Sequence, residues 1–131
     1  MPIEIKRMET EEELRGKAYV HWKTWHAAYP GLVSASYLDR FTLEKCEEIA
    51  RKWPNDILVA KDGGRVVGFV GYGGSRGEAA GMGEITGLYV LPEYWGRGVG
   101  AALMEAGLAH LMQYPRVCLW VLEGNARAIR F

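Results

Sequence analysis

The spacing of apolar positions along this chain changes several times, and each change marks an element. Ile3 and Ile5 alternate with Glu4 and Lys6, the two-residue period of a short strand. Thr10 followed by Glu11-Glu12-Glu13 is a helix start, with a hydroxyl to cap free amides and acids against the positive dipole end. Leu14, Ala18, Trp22, Trp25 and Tyr29 then recur at spacings of four and three, one apolar face of a helix that Pro30-Gly31 ends. A second helix is predicted from about Thr42 to Lys52. Asp62-Gly63-Gly64 joins Ile57–Lys61 to Arg65–Tyr72, two β-branched and apolar runs that read as a hairpin. A glycine-rich loop from Gly73 to Gly83 leads into a strand, Glu84–Val90. The segment from Val99 to about Gln113 holds one charged residue, Glu105, so this helix is expected to be largely buried. Gly107 inside it costs about 1 kcal/mol relative to Ala, tolerable where a helix backbone lies close against a sheet. Val117–Val121 is a final strand, ahead of Glu123-Gly124-Asn125.

Composition narrows the class. A chain of 131 residues buries one core, and no linker, repeat or low-complexity tract divides it, so residues 1–131 are expected to be one domain. Lys plus Arg and Asp plus Glu are each 16, which argues against a nucleic-acid partner and a phosphate-tracking surface. An apolar fraction of 49% excludes wholesale disorder. No apolar run approaches a membrane span, and Met1–Lys6 carries no signal-peptide core, so no membrane contact and a cytoplasmic location are expected. Cys46 and Cys118 form no CxxC and read as buried free thiols.

The most chemical segment is Leu88–Met104, an apolar strand, a glycine-dense turn and a helix. Gly96, Gly98 and Gly100 alternate with Arg97 and Val99. Amides from Trp95 to Ala101 can therefore converge on a pyrophosphate, with Arg97 free to meet an outer phosphate. A P-loop would need Lys and Ser or Thr where Ala101-Ala102 stand. A dinucleotide fingerprint is matched permissively by Gly96-x-Gly98-x-x-Ala101, but that fold opens with its fingerprint and needs further βα units after it.

Trp95-Gly96-Arg97-Gly98-Val99-Gly100 resembles motif A of the GNAT family of N-acetyltransferases, Gln/Arg-x-x-Gly-x-Gly/Ala, which binds the pyrophosphate of acetyl-CoA; Trp95 departs at the first position. Glu84-Ile85-x-x-Leu88-Tyr89-Val90-x-Pro92 looks like that family's fourth strand. Asn125-x-x-Ala128-x-x-Phe131 looks like the opening of its motif B helix. The resemblance implies an α/β (α+β) fold, a mixed, mainly antiparallel twisted sheet flanked by helices. It implies acetyl-CoA as cosubstrate, no metal, and acetyl transfer to an amine of a small molecule or peptide. Trp95, Gly96, Arg97, Gly98, Val99, Gly100 and Ala101 would hold the pyrophosphate. Leu88 and Val90 would bond the pantetheine arm through their backbones, a backbone N–H near Tyr89 would polarise the thioester carbonyl, and Asn125 would cap its helix while facing the cofactor.

A protonated amine has no lone pair, so a base is required, and Glu84 is the candidate; the alternative is a solvated acid at a strand end. Residues 84, 86, 88 and 90 share one face if no bulge intervenes. Trp25 and Tyr29 border the acceptor pocket by resemblance, or are plain core aromatics. His21 and His26 lack a third ligand at metal spacing, and His110 reads as a buried or edge histidine. Relative to the family the chain looks C-terminally incomplete, without the last two strands and without the Tyr that protonates the leaving thiolate. Two expectations follow: a homodimer or poor solubility through an uncovered sheet edge, and, as the alternative function, a CoA-binding remnant without catalysis.

Overall fold

Hairpin and helical connections alike deliver each strand to the side of the previous one, and among the described residues the result is a five-stranded sheet in simple chain order. The computed structural model describes residues 3–28, 34–53, 56–74, 82–114 and 116–119. Strands β1 (Ile3–Arg7), β2 (Ile57–Asp62), β3 (Arg65–Gly74) and β4 (Gly83–Val90) pair antiparallel, and β5 (Val117–Leu119) joins β4 in parallel. The expected mixed, mainly antiparallel sheet is observed. Between β1 and β2 lie α1 (Glu11–Ala28), the unforeseen short α2 (Ala35–Arg40) and α3 (Leu43–Lys52), while α4 (Val99–Ala109) connects β4 to β5. Among the described residues no helix is long and apolar enough to cross a membrane.

Helices cover both faces of the sheet, which is why β2 and β3 are apolar at consecutive positions rather than alternate ones. Leu58, Val59 and Ala60, and Val66, Val67, Phe69 and Val70, are all buried. Helix α1 is likewise sandwiched. The stripe of Leu14, Ala18, Trp22 and Trp25 packs with Leu43, Cys46 and Ala50 of α3 and with Phe41, with Trp25 also reaching Tyr89 of β4. The sheet side of α1 is marked instead by Gly16, whose Cβ, if it had one, would lie 2.7 Å from Val66 Cβ, and by Lys17, whose Nζ sits 4.8 Å over the Phe69 ring. A hydrophobicity pattern misses that face because its buried Val20 is accompanied by a glycine and a lysine stem.

Gly16→Ala is therefore expected to destabilise by about 1–2 kcal/mol, because overpacking against a branched side chain outweighs the roughly 1 kcal/mol helix-propensity gain. A lower denaturation midpoint in Gly16→Ala, recovered in Gly16→Ala/Val66→Ala, would bear this out; a higher midpoint would mean that the interface yields.

Helix α4 lies on the opposite face and departs from expectation twice. It ends at Ala109 rather than near Gln113, and it buries one stripe, Val99, Leu103 and Gly107, with Leu111 just beyond. Leu108 is exposed, and Met112 is 82% exposed. Overall apolarity overstated the burial, since one sheet covers only one side of a helix. Gly107 takes the close approach anticipated for it: an added Cβ would stand 3.2 Å from both Ile85 Cδ1 and Val70 Cγ2.

Candidate active site

Strand β4 carries the candidate base, and a bulge decides where that base points. Gly71 pairs with Gly87, but Tyr72 pairs with Ile85, leaving Thr86 as one extra residue in β4. An added Cβ at Gly71 would collide with Thr86 Oγ1, so the bulge has a glycine opposite it. Because of the extra residue, Glu84, Thr86, Leu88 and Val90 do not share a face, contrary to the unbulged expectation. Val70, the partner of Leu88, and Ile85 both reach Gly107 of α4. Phe69, the partner of Tyr89, lies under Lys17 of α1. Alternation then sets Glu84, paired with Gly73, on the α1 face together with Tyr89. Opposite Glu84 on that face is Gly73, while the side chains of Thr86 and Tyr89 lie over Gly71 and Gly87. Asp56 Oδ2 stands 4.0 Å from where a Gly73 Cβ would be.

Two aromatic readings meet on the same face. Trp25 Nε1 donates to Tyr89 Oη at 3.2 Å, tying α1 to β4. His21 lies among them, with ring centroids 5.1 Å from Phe41, 5.3 Å from Tyr89 and 5.9 Å from Phe69. Burial, with a smaller push from Lys17, lowers its pKa to about 4, so it is neutral, and among the described residues its Nδ1 has no hydrogen-bond partner. His26 Nε2 bonds the Phe41 carbonyl at 2.9 Å. Exposed His110 stacks on Tyr72 with centroids 4.8 Å apart. Cys46 is buried, and burial raises its thiol to about 11. Tyr29 and Asn125 lie outside the described residues.

The backbone of β4 divides its bonds between two sides. Leu91 N–H donates to Val67 O at 2.9 Å, and strand alternation from there directs Tyr89 toward its partner Phe69. The amides of Leu88 and Val90 therefore turn away from β3, while that of Tyr89 faces it. On that other side β5 pairs, among the described residues, with Gly83, Glu84 and Ile85. The departure at Trp95 also has a structural answer. Its indole Nε1 donates to Val90 O at 2.7 Å, so the side chain folds back to fix the strand end.

The glycine turn follows a single 3-10 turn, Pro92–Tyr94. Gly96 and Gly98 adopt φ of +78° and +81°, a region costly for residues with Cβ, and nothing stands within 4 Å of an added Cβ at either. Gly98 is the N-cap of α4, and among the described residues no side chain caps the helix there. The first-turn amides after it are thus left to an external acceptor, at the positive end of the helix dipole. Arg97 is exposed, its guanidinium carbon 5.1 Å above the Tyr94 ring. Sequence reading passed over Tyr94, Asp62 and Thr86, whose roles rest on partners distant along the chain.

A family model described as "Acetyltransferase (GNAT) family" matches residues 6–131. The uncharacterized N-acetyltransferase YuaI of Bacillus subtilis is 31% identical over 126 residues, 90% of this chain and 71% of that protein. An uncharacterized N-acetyltransferase of Archaeoglobus fulgidus is 42% identical over 80 residues, 57% of this chain and 54% of the relative. The chain thus spans about half to seven-tenths of the length of these two relatives. The PaiA N-acetyltransferase of Thermoplasma acidophilum, solved with coenzyme A, shares the fold: TM-score 0.76 at 24% identity, over 100% of this chain and 86% of that one.

Proposed function

This chain belongs to the acetyltransferase (GNAT) family of acetyl-CoA-dependent acyltransferases, and from that premise we propose that it transfers acetyl from acetyl-CoA to a primary amine of a small molecule or peptide. The observation that carries the reading is the uncapped, left-handed glycine turn at the start of α4, directly after a strand whose Leu88 and Val90 amides turn away from β3. Such a turn offers a pyrophosphate several amides at once, and such a strand offers the pantetheine arm a partner. Coenzyme A in the Thermoplasma protein of the same fold supports the choice of cosubstrate.

In the proposed reaction Glu84 takes a proton from the substrate ammonium. The freed lone pair attacks the thioester carbonyl, whose developing oxyanion is met by a β4 amide. The C–S bond then breaks, an amide C–N bond has formed, and the thiolate leaves to be protonated. Gly73, paired with Glu84 and with nothing among the described residues closer than Asp56 Oδ2 to an added Cβ, gives an amine room beside Glu84, and Asp56 adds a second carboxylate suited to a cationic acceptor.

Calorimetric titration tests this directly. Saturable one-to-one binding of acetyl-CoA and none of NADH is the expected result, with an amine panel then identifying the acceptor. Binding of NADH and not of acetyl-CoA would refute it. Binding of acetyl-CoA without transfer to any amine would favour a CoA-binding protein without catalysis.

A further inference from the structure

The 3-10 turn that leads into the glycine turn is gripped from outside by the β2–β3 hairpin. Asp62 and Arg65, paired with each other across the Gly63-Gly64 turn, both reach it. Tyr94 Oη donates to Asp62 Oδ2 at 2.5 Å, and Arg65 Nη2 donates to Glu93 Oε2 at 3.2 Å. The second contact joins two side chains that are each about half exposed and holds little by itself. The first fixes an aromatic ring, and Arg97, three residues on, lies over that ring. Stacking uses the face of a guanidinium and leaves its in-plane N–H donors open. Arg97 is exposed, within the turn whose glycines leave open space around their backbone.

We propose that Tyr94, locked by Asp62, is a platform that holds the Arg97 fork toward a phosphate of the cosubstrate, which makes Asp62 and Tyr94 positioning residues for acetyl-CoA. This rests on the acetyl-CoA reading above and goes beyond it: the hairpin, distant in sequence from the glycine turn, sets the order of the turn's one cationic side chain. An unstacked Arg97 would lose rotamer freedom on binding; a stacked one has already lost it.

The test compares acetyl-CoA with S-acetylpantetheine, which carries the thioester but neither the pyrophosphate nor the 3′-phosphate. Tyr94→Leu and Asp62→Ala should each raise KM for acetyl-CoA about ten-fold relative to KM for S-acetylpantetheine, the size of one charge-assisted contact. Asp62→Asn, which keeps an oxygen for the Tyr94 hydroxyl, should restore most of the ratio. Tyr94→Leu/Arg97→Ala should be no worse than Arg97→Ala alone, since both act through one contact. With 3′-dephospho-acetyl-CoA, persistence of the effect would assign the phosphate as the pyrophosphate, and its disappearance as the 3′-phosphate; either supports the platform. Equal weakening of acetyl-CoA and S-acetylpantetheine, or additive losses in the double variant, would overturn it. Failure of the unaltered protein to bind acetyl-CoA would instead overturn the reading beneath it.

Discussion

Glu84→Gln is expected to lower kcat for acetyl transfer at neutral pH by about 10²–10⁴-fold, the usual worth of a positioned general base, while leaving acetyl-CoA affinity close to that of the unaltered protein. Two features of the structure make the prediction specific. The Thr86 bulge turns Glu84 to the face that holds Tyr89, and the glycine turn lies beyond the other end of β4, so the substitution reaches the proposed base without touching the proposed cosubstrate anchor. The pH profile separates a base from a bystander. An amine with a pKa near 10.4 loses its own proton as pH rises, so the Glu84→Gln rate should climb about ten-fold per pH unit below that value. A variant that keeps full kcat at pH 7 would reduce Glu84 to a solvated strand-end acid.

The largest effect on stability is expected at Glu13, which is 2% exposed. Its carboxylate accepts from Lys6 Nζ at 2.7 and 2.9 Å, from Lys61 Nζ at 3.1 Å, and from the backbone amides of Glu9 at 2.8 Å and Thr10 at 3.1 Å. In return, Thr10 Oγ1 accepts from the Glu13 amide at 3.0 Å, completing a capping box that ties β1, β2 and the start of α1 together. Glu13→Ala leaves two lysines and two amides short of a partner and should cost about 3 kcal/mol, a fall in Tm of roughly 10 °C for a chain of this size. Burial pushes the Glu13 carboxyl upward, but the Lys6, Glu9, Lys61 and Thr10 bonds together bring it down to about 2. A carboxyl depressed by folding contributes stability above its ordinary value, 4.5, and that contribution fades as pH falls toward 2. Glu13→Gln should therefore be less stable at pH 7 and lose less on acidification. Some slope will remain, because the Arg51 hydrogen bonds hold exposed Glu11 at about 2 as well. Identical acid unfolding profiles for Glu13→Gln and the unaltered chain would show that this carboxylate is not what acid attacks.

Local residue chemistry was enough to read much of this molecule. Alternation at Ile3 and Ile5, the Thr10 cap and Gly63-Gly64 each act over a few residues, and β1, α1 and the β2–β3 hairpin appear where they indicate, as does α3 within Thr42–Lys52. The glycine turn was legible for the same reason. Gly96 and Gly98 are required by backbone conformation, which neighbours alone dictate, and the family resemblance of that turn is matched by the family model over residues 6–131.

What could not be read arises from partners far apart in sequence. The bulge at Thr86, which decides the face of Glu84, depends on the registry of β4 against β3. The sheet side of α1 combines Gly16 against Val66, Lys17 over Phe69 and buried Val20, and no hydrophobic period marks it. Helix α4 is apolar nearly throughout, yet one sheet face covers only Val99, Leu103 and Gly107 of it. Glu13 looked like one of three first-turn acids until β1 and β2 brought Lys6 and Lys61 to it. Tyr94 looked like a turn residue until the hairpin brought Asp62. The sequence by itself determined most of the elements, the glycine turn and the family, because these follow from backbone geometry and short-range spacing. Only the tertiary structure decided which face each chemical group looks out on, because a single inserted residue in a ladder reverses facing and no local pattern records it.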